Sequence, residues 1–294
     1  MRLSESVLQS ITELPPFPIV LQRTLQLISD SKSSIQDIVD VIQFDQSITA
    51  SILRLCNSSY FGLRREIQTL NEALVLIGLN QIVEIILTRE SVGLFSGPQA
   101  KQLWRHSVGC ALLSGIVSRR LNRKTTPIFF TAALLHDIGK VALIKAVPDY
   151  FGEVTNCMRE DHLALTEAEK KIYGVEHAEL GGRFAKSWNF PKTILDAIQY
   201  HHTPFVVSRH REIVQRVYLC DIISAVAGVG GGADRLPNET YVEVLKQYNL
   251  KDEDNDWFIT QLNDRFHFVK KVLNVMEQQQ DGDDLFNIFA TPIS

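Results

Sequence analysis

Residues Ala133 to Leu143 read ALLHDIGKVAL. An apolar helical run, entered near Pro127 and facing inward through Phe130, Ala133 and Leu134, meets His136 and Asp137. The peptide Ile138-Gly139-Lys140 is then expected to turn the chain. A histidine near a helix C-terminus suits the negative end of the macrodipole, but an aspartate there does not. Two explanations are open. Either this is an ordinary polar helix end, or a cation compensates the carboxylate.

Working outward, nearly every segment shows helical period. Leu21, Leu25 and Ile28 form one stripe; Ile35, Ile38, Val39 and Ile42 the next; Ile48, Ile52, Leu53 and Cys56 another. Thr69-x-x-Glu72 and Thr166-x-x-Glu169 have the form of capping boxes, and Thr126-Pro127 places a cap before a proline at the first helical position. No stretch sustains period-two alternation, so the fold class is all-α: an N-terminal helical subdomain packed on a helical bundle. Leu14-Pro15-Pro16-Phe17-Pro18 separates a first helix from the next, and Ser96-Gly97-Pro98 is the expected central boundary. The division is 1–97, about five short helices without histidine; 98–228, a histidine-rich bundle; and 229–294, terminal helices with a polar tail around Glu277–Asp284. Gly228-Val229-Gly230-Gly231-Gly232 is a break between the last two, not a phosphate loop, because no strand precedes it.

The chain has 294 residues, 45% hydrophobic and 22% charged, with net charge -4 and scattered basic residues. That composition is ordinary for a globular protein and supplies no clear nucleic-acid surface. Arg119-Arg120-Leu121-Asn122-Arg123-Lys124 is a local basic run that reads as a solvated helix end. No apolar stretch is expected to reach the ~18–20 residues that span a bilayer, and the N-terminus lacks a signal-peptide core. The expectation is a cytoplasmic protein without membrane contact. Cys56, Cys110, Cys157 and Cys220 are far apart, and three sit in apolar helical patterns, so they read as small buried hydrophobes. Trp257, Phe258, Leu262, Phe266 and Val269 read as core.

Seven of the eight histidines fall between Gln99 and Gly228. His106 lies on the inward stripe of Leu103, Cys110, Leu113, Val117 and Leu121. His177 precedes Gly181-Gly182, and helix-interior glycines, which cost about 1 kcal/mol each, suggest close packing. His201 and His202 close another helix, about 100° apart around its axis. Asp221 interrupts the inward stripe of Ile213, Val217, Cys220 and Ser224, where an unpaired carboxylate is expensive. Five histidines and two aspartates on separate helices exceed one tetrahedral zinc and suit two divalent transition-metal ions, iron, manganese, zinc or nickel. Asp137 is placed to bridge them. A bridged pair can bind both oxygens of a phosphoester displacement and supply hydroxide near neutral pH.

His106, His136-Asp137 and Asp221, in this order, resemble the HD superfamily of metal-dependent phosphohydrolases. His177 and His201-His202 resemble the fuller ligand set of its HD-GYP branch, which hydrolyses cyclic di-GMP, and His136-Asp137-Ile138-Gly139-Lys140 matches that branch's HDxGK motif. The resemblance implies one ion on His106, His136, Asp137 and Asp221, and a second on Asp137, His177, His201 and His202. It implies catalytic roles for Asp137 and for Lys140, the latter on substrate phosphate. After His202, however, the chain reads Thr203-Pro204-Phe205 in place of the Glu and Gly-Tyr-Pro loop that helps form the nucleotide site. The resemblance therefore gives cyclic di-GMP hydrolysis no support.

The N-terminal half is similar to another branch. Leu14–Pro18, Ile35–Val39, Asp45–Thr49, Leu53–Gly62 and Ala73–Leu79 resemble the HDOD domain, the HD-related output domain of bacterial signalling proteins, over about Leu14 to Phe205. HDOD domains are regulatory modules, and many lack the metal ligands, whereas this chain keeps the set. Two functions follow: a metal-dependent phosphohydrolase acting on a nucleotide-type phosphoester, or a non-catalytic signalling module with a structural metal or none. The expected partner is a signalling protein or a nucleotide-type ligand.

Overall fold

Helical period along the chain becomes fifteen α-helices, one short 3-10 turn and no strand among the described residues. The computed structural model describes residues 17–277 except 31, 44, 59, 60, 64, 96 and 230–237. The expected break at Leu14-Pro15-Pro16, the boundary residue Ser96, Gly230–Gly232 and positions 278–284 of the tail lie outside the described residues.

Among the described residues, five α-helices precede Gly97: α1 (Ile19–Ser29), α2 (Ile35–Gln43), α3 (Gln46–Cys56), α4 (Leu70–Ile77) and α5 (Leu79–Ser91). Asp45 caps α3 through the Ile48 amide, and Thr69 caps α4 through the Glu72 amide. The long α6 (Pro98–Arg120) then runs through the molecule, followed by α7 (Pro127–Leu135) and α8 (Ile138–Ala146). Thr126 caps α7 as its sequence predicts, accepting from Phe129 N–H at 3.3 Å. Next come α9 (Tyr150–Asp161), α10 (Leu165–Tyr173), α11 (His177–Ser187), α12 (Lys192–Tyr200) and α13 (Arg211–Val226), then α14 (Glu239–Gln247) and α15 (Asp254–Glu277).

One cluster of buried apolar side chains runs from Phe17 on the entry to α1 to Val269 on α15, with Trp104, Phe129, Phe130 and Phe258 among its largest fully buried members. Each large side chain removed from water contributes about 1.5–3 kcal/mol, the main driving force for packing these helices. A smaller cluster under α9 and α10 is built from Tyr150, Val154, Leu165 and Tyr173. Phe258, Leu262, Phe266 and Val269 are core as expected, while Trp257 is 40% exposed. Arg119 and Arg120 end α6 at the surface, where Arg120 pairs with Asp254 at 2.8 Å.

Three local expectations need correction. The peptide after Asp137 does not turn the chain away; α8 begins there, because Ile138 to Ala146 again has apolar side chains to bury. Thr166-x-x-Glu169 is no capping box: α10 starts two residues earlier, with Ala164 as its N-cap, Glu167 accepts from the Ala164 N–H at 2.9 Å, and Glu169 faces inward. Pro127–Ala146, which embraces α7 and α8, is long and apolar enough to cross a membrane, contrary to the expectation that no stretch is. Of the 18-residue stretch within it that passes for a span, 83% is buried inside the fold, so core packing already accounts for its apolar character.

Away from the histidines, burial pushes the Glu84 carboxyl on α5 up to about 7, against the pull of Arg265, 3.7 Å away on α15. A carboxyl that titrates higher folded than unfolded stabilises the fold while protonated. That contribution is lost as pH rises from about 4.5 to about 7, by at most about 3 kcal/mol. Glu84→Gln is therefore expected to raise the melting temperature at pH 8 and leave it unchanged at pH 4. Equal shifts at both pH values would contradict the assignment.

Candidate metal centre

The site forms where five helix ends or faces meet. His106 comes from the middle of α6; His136 and Asp137 occupy the break between α7 and α8; His177 opens α11; His201 and His202 follow α12; Asp221 lies in α13. Two close helix approaches make this possible. At Gly109, a Cβ would stand 2.9 Å from Ser224 Oγ and from Val229 Cγ1, so its absence lets α6 close on α13. At Gly139, a Cβ would stand 1.9 Å from the His177 carbonyl oxygen and 2.7 Å from the Gly181 amide. Here α8 and α11 cross backbone to backbone, which sets His177 beside Asp137.

The carboxylate of Asp137 faces two groups of donors at once. Its Oδ2 lies 3.1 Å from Lys140 Nζ, 3.5 Å from His136 Nε2 and 3.7 Å from His106 Nε2. Its Oδ1 lies 3.2 Å from His177 Nε2 and 3.5 Å from His201 Nε2. Asp221 Oδ1 completes the first side, 3.0 Å from His106 Nε2 and 3.5 Å from His136 Nε2. His202 completes the second, its Nε2 2.9 Å from that of His177. All the sequence-predicted site residues are thus brought together.

Four of the five imidazoles, those of His106, His136, His177 and His201, share one orientation. Nδ1 of His136 donates to the Ala133 carbonyl at 2.8 Å, and Nδ1 of His201 to the Ile198 carbonyl at 2.8 Å. Nδ1 of His177 lies 2.7 Å from Glu169 Oε2, and Nδ1 of His106 lies 3.3 Å from both Val229 O and Ser224 Oγ. With Nδ1–H committed outward, each Nε2 presents its lone pair inward, the arrangement that metal-ligating histidines show. No hydrogen bond reaches the buried His136 Nε2. Several lone pairs aimed at one another in a dry interior repel unless a cation or protons stand between them. The donor set therefore fits divalent transition-metal ions.

Burial works against charge on the ligands, and the second group is poised unevenly. Burial pushes His201 down to about 4. Burial also opposes protonation of His177, but the Glu169 carboxylate outweighs it and raises that imidazole. Glu169 in turn is held below the usual carboxylate range despite burial, by His177, Lys140 and the Tyr150 hydroxyl that donates to it. Burial and the Asp221 carboxylate push the Cys110 thiol well up, so without a cation it keeps its proton. His106, His136, Asp137, Lys140, His177, His201 and Asp221 are all buried; His202 alone of the set is half-buried, and marks the side nearest solvent. Lys140 is 4% exposed and turned onto Asp137, not into open solvent.

Two residues of this neighbourhood escaped the sequence reading. Glu169, taken for a capping residue, accepts from both the backbone N–H and Nδ1 of His177. Its position eight residues before His177 on an adjoining helix carries no short-range signal. Cys110, taken for a small hydrophobe, joins His106, His136 and Asp221 in a group whose ligand atoms lie within 4.8 Å of one another. Its spacing of four from His106 was the available clue.

The Glu169 contact makes a prediction. Glu169→Gln places an amide N–H2 against donors from Tyr150 and His177, so at least one hydrogen bond becomes a donor-donor clash. Zinc affinity is expected to fall about 10- to 100-fold, as when other orienting partners of metal-bound histidines are removed. Titration against a competing chelator reads this, and unchanged affinity would remove Glu169 from the site.

Comparison with known proteins agrees with this architecture. The HDOD domain matches residues 14–204. An uncharacterized protein of Treponema pallidum is 24% identical over 223 residues, 74% of this chain; the chain spans only 43% of that relative's length. Among solved structures, an HDOD domain protein of unknown function from Geobacter sulfurreducens superposes with a TM-score of 0.68 at 24% identity, covering 93% of this chain and 98% of that one. A candidate phosphohydrolase from Shewanella amazonensis superposes with a TM-score of 0.63 at 20% identity, covering 94% and 99%. The matched segment spans well over half of the sequence and takes in every member of the histidine-aspartate set except Asp221; the chain belongs to the HDOD family.

Proposed function

We propose that this chain is a signal-transduction module built around a two-ion transition-metal centre. The observation that carries this is the split of the Asp137 carboxylate, Oδ2 towards His106 and His136, Oδ1 towards His177 and His201. His106, His136 and Asp221 hold one ion, His177, His201 and His202 the other, and Asp137 joins them. Sealing of seven of the eight residues suits a centre whose metal state sets the shape of the helices around it. A signalling protein partner or a nucleotide-type ligand then reads that shape.

A second reading is hydrolysis of a nucleotide-type phosphoester, and the half-buried His202 favours it. Bound metal would supply Lewis acidity and an activated water there. Lys140 must leave Asp137 to neutralise a phosphate, and the fold neighbour from Shewanella amazonensis adds the support of likeness alone.

Elemental analysis of protein purified anaerobically with iron, manganese and zinc supplied tests the centre. About two ions per chain are expected. With two ions present, cleavage of bis(p-nitrophenyl) phosphate would favour the hydrolytic reading, and no cleavage the regulatory one. A metal-free protein under these conditions would sink both and leave the histidines without a metal role.

A further inference from the structure

Cys110 follows His106 by one helical turn on α6, so both side chains leave the same face. The missing Cβ of Gly109 lets that face press against α13, where Asp221 waits. Cys110 Sγ lies 3.5 Å from His106 Nε2, and both residues are buried. His106 Nε2 is 3.0 Å from Asp221 Oδ1, which is 3.5 Å from His136 Nε2. Donors bound to one zinc at about 2.0–2.3 Å stand about 3.3–3.8 Å apart in a tetrahedron; two of these separations fall in that range, and the 3.0 Å between His106 and Asp221 is shorter. Independently of the thiol, His136 Nε2 is fully buried, lacks a hydrogen bond and points into the same space.

We propose that Cys110 is a metal ligand, and that the pocket of His106, Cys110, His136 and Asp221 is a closed, thiolate-bearing site for zinc or ferrous iron. This deepens the two-ion reading and rests on it. A thiolate with two imidazoles and a carboxylate favours borderline-soft ions over manganese or magnesium. These four donors, with Asp137 joining the two ions as a fifth, leave no position open on this ion, which is the pattern of a closed site. The other pocket offers three imidazoles and reaches towards solvent at His202, so ligand exchange belongs there. The two halves of the centre thus have different tasks: one ion is held permanently, the other stays open. The thiol, now directed weakly at the Cys220 carbonyl 3.7 Å away, gives its proton to the buffer when the ion binds.

Cobalt(II) titration of the metal-free full chain under argon tests this, because a cobalt–thiolate bond produces a near-ultraviolet charge-transfer band that imidazole and carboxylate do not. The wild type is expected to show the band. Cys110→Ser, nearly isosteric, is expected to lose it while still binding cobalt at the three-histidine pocket. Cys157→Ser, which changes the cysteine outside the buried interior, should retain it. Circular dichroism confirms that each variant is folded, and Cys110→Ala provides a second removal of the donor. Cobalt binding without the band, or a band that survives in both Cys110 variants, overturns the thiolate ligand and leaves the two-ion reading standing. A chain that binds no cobalt at all overturns both.

Discussion

Asp137→Ala is expected to empty both halves of the centre and to leave a markedly less stable protein. Asp137 is the residue whose two oxygens reach both histidine groups, so no single-histidine variant should match it. Elemental analysis should fall from about two ions per chain to a small fraction of one. The structural penalty is separate. The carboxylate is fully buried among Lys140, His106, His136, His177 and His201, and removing one partner of such a network costs about 3–5 kcal/mol. Asp196→Ala is the matching control. Asp196 is also buried and ion-paired, to Lys192 and His210 at 2.7 Å each, but it lies outside the centre. That variant should lose stability and keep its metal. Retention of two ions by Asp137→Ala would refute the bridging arrangement.

Gly139→Ala is expected to have the second largest effect, although alanine ordinarily favours a helix over glycine by about 1 kcal/mol. A Cβ at this position falls 1.9 Å from the His177 carbonyl, and backbone cannot rotate away as a flexible side chain can. Either α8 and α11 separate, or His177 moves off Asp137. Overpacking of this kind costs about 3 kcal/mol or more, a fall in melting temperature of about 6 °C or more. Metal affinity should fall with it, because the displaced element carries a ligand. Gly115→Ala on α6 is the contrast: its nearest neighbour would be Thr125 Cγ2 at 3.9 Å, and helix propensity alone should leave that variant neutral or slightly stabilised. Differential scanning fluorimetry of the two variants decides the matter. Equal melting temperatures would mean that the crossing is looser than described.

Sequence alone determined the helical class, because period is local: Leu21, Leu25 and Ile28 face one way whatever they pack against. It determined the Thr126 and Thr69 caps, since a cap is settled within four residues. It also marked His136-Asp137 and Asp221 as polar groups at buried positions, where their chemistry demands partners. The same local logic failed at Thr166-x-x-Glu169, a correct cap pattern in the wrong frame, because Glu169 is claimed instead by Tyr150 and His177. It failed again after Asp137, where a second helix follows because α8 has its own apolar face to bury. Which oxygen of Asp137 faces which histidines, and whether Cys110 fills a core or a ligand position, depends on contacts between residues up to 115 positions apart. Those contacts are set by helix crossings at Gly109 and Gly139, where backbones approach only because no side chain intervenes. The histidines and aspartates that could bind metal were therefore legible one by one, Cys110 was not, and their convergence into two unequal pockets was decided by packing.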